Sequence, residues 1–171
     1  MIKNSLEYKF ISRHYGDRVA KRSQVPLINH IDEGLVVLKA IGAVETTKKA
    51  FCLHPLFQSD EDLQENYYLA SFVEPHVLLL TMEYRNIANA YLSDKIDTDQ
   101  PLKLSPLLEV NEMLIADKVQ NYKDFLTYHY GTHARSSELD RYFNKWLDSL
   151  SVNHWQYTEL CEKIEESKIE A

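Results

Sequence analysis

Helix breakers are scarce in this chain: 4 glycines and 5 prolines in 171 residues. That leaves little room for a turn-rich β architecture and favours long helices. Cysteine is also rare. Cys52 and Cys161 lie far apart in helix-like surroundings, which argues against a disulfide framework and for a reducing compartment. Basic charge is in deficit, with 19 Lys and Arg against 26 Asp and Glu and a net charge of -7. A broad nucleic-acid-binding surface is therefore excluded, because phosphate contacts need a Lys/Arg face, although a local basic pocket for a small anion is not. Long apolar runs are missing as well. The longest, VLLL at 77–80, is far too short to span a bilayer. The opening MIKNSLEYKF is polar and mixed, so no secretory leader is expected and the expected location is cytoplasmic.

What is present is an ordinary globular mixture, 44% hydrophobic and 26% charged. The length suits one domain, residues 1–171, with a sizeable core. Apolar spacing predicts helices over 4–16, with Asn4 or Ser5 as cap and Leu6, Phe10 and Ile11 inward, and over 31–41, stopped by Gly42. A short helix over 45–54 is expected to end near Pro55, since the residue before proline avoids the helical region. Further helices are expected over 60–72, from Pro75 to about Ser93, from Ser105-Pro106 to about Tyr128, over 136–150, and over 153–168 with Asn153 as cap. Residues 94–104 read as a loop. No segment alternates with period two, so the fold class is all-α: a compact domain of about seven or eight helices.

Three polar residues stand where the pattern calls for apolar ones. His30 sits at the mouth of an apolar helix in PLINHIDEGLVVL. His54 closes AFCLHP. Asp117 shares a stripe with Val110, Leu114, Asn121 and Phe125 in VNEMLIADKVQNYKDF. A carboxylate on an inward stripe must be paired, hydrogen-bonded or metal-bound, because an isolated buried charge costs too much. Arg85 and Lys118 are the candidate pairing partners. Two histidines and an aspartate also form a ligand set for a divalent first-row metal.

The words around these residues resemble the Rel/Spo-type HD hydrolase domain, from about residue 8 to 150 and in the same order. KRSQVPLINHIDEGLVVL resembles the family's opening, with Lys21, Arg22, Pro26, Ile28 and His30 matching and Leu27 in place of an aromatic. KKAFCLHPLFQSDEDL resembles its His-Asp segment, and LSPLLEVNEMLIADKVQNYKDF its LSP…KLADKLYNLRDL segment, including Ala116, Asp117, Lys118 and Asn121. ELDRYFNKWLDSL echoes its closing helix. The nearest in pattern are the small stand-alone alarmone hydrolases. The resemblance implies an HD-like helical fold and a divalent cation, usually manganese, held by His30, His54 and Asp117. It implies hydrolysis of the 3′-pyrophosphate of a guanosine nucleotide such as (p)ppGpp. Lys21, Arg22, Arg85 and Tyr142 become the expected substrate-binding residues, and Gln58, Asp60 and Asn121 the expected catalytic ones. Expected partners are a small nucleotide and, at most, a second copy of the chain in a homodimer; no nucleic-acid polymer and no membrane is expected.

Two departures matter. Pro55 replaces the aspartate that follows the second histidine, and Gln58-Ser59 replaces a Glu-Asp pair. Asp60 is the best substitute ligand nearby. The chain is thus expected to be a metal-dependent nucleotide phosphohydrolase with an altered site, or an inactive HD-like protein that binds a nucleotide or a protein partner. A plain helical domain would leave the inward Asp117 and Asn121 unexplained.

Overall fold

Helix begins where the chain supplies a cap. In the computed structural model, which describes residues 1–93 and 101–169, the Ser5 hydroxyl accepts from the Tyr8 amide at 3.1 Å and opens α1 (Leu6–Tyr15). Ile11 is its core residue, while Leu6 is exposed instead of inward. α2 (Ile28–Ala40) starts three residues earlier than the periodicity suggested. His30 therefore belongs to its first turn. α2 stops where Gly42 takes φ +77°, a conformation that favours glycine.

α3 spans Glu45–Phe57 and passes through Pro55 instead of ending before it. Leu53, Leu56 and Phe57 are all buried, so packing holds the last turn together beyond the missing Pro55 amide. α4 (Asp60–Asn66) is capped by the Ser59 hydroxyl, which accepts from the Asp62 amide at 2.9 Å. The helix expected over 60–72 changes to 3-10 geometry over Tyr67–Phe72.

Pro75 opens α5 (Pro75–Ala90) at a first-turn position where no amide is needed. α6 (Leu108–Tyr128) follows a Ser105–Asn111 clasp, with reciprocal bonds of 3.1 and 2.9 Å. α7 (Ser136–Ser149) and α8 (His154–Ile169) complete eight α-helices among the described residues. Asn153 and Gln156 cap α8 reciprocally, each bond 3.0 Å. No strand occurs among the described residues; Val19 and Pro26 form one isolated bridge. Of the loop expected over 94–104, residues 94–100 lie outside the described residues.

The protein is therefore all-α. α3 packs against α1 and α5, α2 against α6 and α8, and α6 against α5 and α7. Leu38, Leu53, Leu80, Leu114 and Trp146 are fully buried between them. Cys52 and Cys161 are free thiols. No helix among the described residues is long and apolar enough to cross a membrane. The first turn of α2, the last turns of α3 and the middle of α6 converge, and the inward polar residues lie there.

Gly34 of α2 is what lets α3 come close: a Cβ there would collide with the Phe51 ring. That ring is fully buried and packs against His30 and His54, with centroids 5.8 and 4.7 Å away. Helix propensity alone says Gly→Ala should stabilise by about 1 kcal/mol. Gly34→Ala is expected to do the opposite, losing about 1–3 kcal/mol through overpacking. Denaturant melts check this, and a more stable variant would refute the close-approach argument.

Candidate metal centre

Pro55 has no N–H, so the Phe51 carbonyl four residues earlier loses its helical partner. The His54 Nδ1 takes that partner's place, 2.7 Å from the Phe51 oxygen. A carbonyl can only accept, so Nδ1 carries the proton and Nε2 carries a lone pair. The same logic fixes His30, whose Nδ1 lies 2.7 Å from the Gln120 Oε1. Gln120 cannot be flipped, because its Nε2 faces two carboxylates, Glu33 at 3.1 Å and Asp124 at 2.8 Å. Its oxygen must face His30, and His30 must donate from Nδ1.

Both Nε2 lone pairs therefore point at each other across 3.1 Å. The Asp117 Oδ1 stands 3.6 Å from His30 Nε2 and 4.0 Å from His54 Nε2. Three points with those separations lie on a circle of radius about 2.1 Å, with its centre inside the triangle; that radius matches a first-row metal–nitrogen or metal–oxygen bond. His30, His54 and Asp117 form a group that could hold a metal ion.

The surroundings orient Asp117 for this. The Lys118 ammonium occupies Oδ2 at 2.7 Å, leaving Oδ1 for the histidines, and Asn121 Nδ2 donates to Oδ1 at 2.8 Å. Lys118 also lies 3.4 Å from the Tyr142 hydroxyl and 5.0 Å above the Trp146 ring. The Tyr84 ring packs on His54 at 4.8 Å. Its hydroxyl is buried beside Asp117.

Burial, and then the neighbouring His30, push the His54 imidazole down to about 3. Burial opposes the Asp117 charge, yet Lys118 and the two histidines hold its carboxyl down at about 2. Burial likewise opposes the Lys118 charge, but Asp117 keeps the ammonium up at about 12. At neutral pH the centre thus presents a neutral His54 and an ionised Asp117.

A cavity of about 380 Å³ opens onto the three residues. Pro55, Gln58, Asn121 and Asp124 line it, together with Tyr15, Ser23, Val25 and Leu27. Of the residues singled out from sequence, His30, His54, Asp117, Asn121 and Gln58 come together here. Lys21 and Arg22 are exposed on the loop whose Ala20 and Ser23 reach the wall. Asp60 and Arg85 do not join them: Asp60 is exposed and pairs with Arg85. Tyr142 is buried behind Asp117 against Lys118, not on the cavity wall. Sequence reasoning missed Gln120, Asp124 and Tyr84. Asp117, Gln120, Asn121 and Asp124 follow i, i+3, i+4, i+7 spacing, so the complete polar stripe was readable as one face of α6. No family model, curated protein or solved structure matches the chain.

The two shifts predict acid lability. An unfolded His54 takes up a proton near its ordinary 6.5 and the folded one only near 3, so the unfolded state binds more protons in between. Stability is complete above pH 6.5 and falls by about 1 kcal/mol for each pH unit below it. Asp117 adds a loss of the same sign between its ordinary 3.8 and about 2. Denaturation in metal-free buffer from pH 8 to pH 4 checks this. A midpoint that stays flat from pH 6.5 to pH 4.5 would contradict it.

Proposed function

We propose that the protein is an HD-like, divalent-metal-dependent phosphohydrolase acting on a nucleotide, with His30, His54 and Asp117 as the ligands. One observation carries this: three donor atoms, two of them lone pairs with fixed tautomers, surround a point about 2.1 Å from each and face an open polar cavity. The cation, manganese according to the family resemblance, supplies Lewis acidity toward water and a phosphate oxygen when bound. The chain's own residues do the rest. Lys118 keeps Asp117 monodentate by holding its second oxygen. Asn121 fixes the rotation of the carboxylate. Gln58 offers an uncharged amide on the cavity wall. Lys21 and Arg22 give the loop at that wall a positive rim suited to phosphate.

A second reading has its own support. Among the described residues only Asp117 and Asp124 bring a carboxylate to the cavity lining. Asp124 lies two helical turns from Asp117, about 10 Å along α6, and is engaged by Gln120 and Lys123. No side chain is therefore placed as a general base. That favours a centre that binds a metal and a nucleotide without rapid turnover.

Elemental analysis and a nucleotide panel with manganese, cobalt, nickel and magnesium separate these readings. A single bound ion per chain is expected, absent from His54→Ala and Asp117→Asn, with phosphate or pyrophosphate released only by the parent. Metal uptake and nucleotide binding without release would select the second reading. A parent that takes up none of the four ions would end both.

A further inference from the structure

We propose that Gln120 is the positioning residue of the centre: clamped by Glu33 and Asp124, it commits His30 to the tautomer that turns a lone pair toward His54 and Asp117. The proposal rests on the metal reading above and adds a residue and a mechanism to it.

The two ligand histidines are oriented by different means. His54 relies on a backbone carbonyl, which cannot change polarity. His30 relies on a side-chain amide, which can present either oxygen or nitrogen. The protein removes that freedom with charge. Gln120 is almost fully buried, and both hydrogens of its amide nitrogen are taken, one by Glu33 and one by Asp124. A flipped amide would set its oxygen against two carboxylates and its nitrogen against His30. The carboxylates are held in turn. Lys123 lies 3.0 Å from Glu33 and 2.6 Å from Asp124. Lys168, from the last turn of α8, reaches the other Glu33 oxygen at 3.0 Å. Glu33 is buried on α2, one turn beyond His30, so the same helix carries the ligand and the anchor of its orienting residue. Burial works against the Glu33 charge, but Gln120, Lys168 and Lys123 hold its carboxyl below the ordinary range. Glu33 thus stays an acceptor. An unbroken sequence of donors and acceptors runs from α8 through Lys168, Glu33 and Gln120 to His30. Partners of this kind fix ring orientation, and losing one weakens metal binding by roughly 10–100-fold.

The test uses the full chain with Gln120→Met, which keeps length and volume but has no amide, and Gln120→Glu, which keeps an acceptor for the His30 proton. Two-bond proton–nitrogen NMR spectra of the metal-free protein at pH 8 read each imidazole's tautomer. Titration with manganese or zinc chloride alone reads affinity. The wild type is expected to show both histidines as pure Nδ1–H forms. Gln120→Met should turn His30 into a tautomer mixture, leave His54 unchanged, and bind metal roughly 10–100-fold more weakly. Gln120→Glu should restore the His30 tautomer, but it sets an oxygen against Glu33 and Asp124, so the affinity is expected to recover only in part. Should the Met variant not fold, Gln120→Asn, withdrawn by one methylene, gives the same comparison. An unchanged His30 tautomer in Gln120→Met, or in Gln120→Asn, overturns the proposal. A wild type that binds neither metal ends the metal reading, yet its metal-free spectra still decide whether Gln120 fixes His30.

Discussion

Two imidazole lone pairs facing each other across 3.1 Å are repulsive, and in this protein neither ring can turn away. The opposite nitrogen of each ring is bonded at 2.7 Å to an acceptor that is itself immobilised. Positive charge between or beside the nitrogens would relieve that repulsion. A shared proton would satisfy the two histidines along one line. It would not account for the Asp117 oxygen at a third corner, held there by Lys118 and Asn121. The triangle as a whole suits a cation larger than a proton, and the packing of α2, α3 and α6 sets its size.

Charge around the centre is matched without that cation. Asp117 is answered by Lys118, and Glu33 and Asp124 by Lys123 and Lys168. Asp117, Glu33 and Asp124 each have a cationic partner at 3.0 Å or less. A dication entering this neighbourhood would add two charges, and among the described residues that line the cavity no further acid cancels them. Under the proposed function that excess falls to the ligand: an anion in the cavity lowers the cost of the metal, and the metal raises affinity for the anion. A site with a second carboxylate ligand would depend less on this coupling.

Much of this was legible in the sequence. Apolar spacing located α1, α2, α5 and α6, the Gly131 turn and the Asn153 cap bracketed α7 and α8, and the inward place of Asp117 followed from its spacing with Leu114. The errors have physical causes. Residues 55–57 read as a loop because proline usually ends a helix, but the burial of Leu56 and Phe57 outweighs one missing amide bond. Leu6 read as core from periodicity, which cannot tell that nothing covers it. Asp60 read as a substitute ligand from proximity in sequence, yet the start of α4 turns it to solvent beside Arg85. Gln120 went unread because an amide contributes little to a hydrophobic pattern. Its importance comes from Glu33, 87 positions earlier in the chain.

Pro55 ties these points together. Proline offers no ligand atom beside His54. In the folded chain it has a second effect. By withholding an amide from the Phe51 carbonyl, it frees the acceptor that fixes the His54 tautomer. The proline thus fixes the geometry of the histidine beside it. A plain apolar core would have little use for the bond from His54 to the Phe51 carbonyl, or for the Glu33–Gln120 clamp on His30. Both histidines are oriented by independent means toward one point, and Lys118 occupies one oxygen of the carboxylate beside them. Under the proposed function, that arrangement holds a cation that an anionic ligand completes.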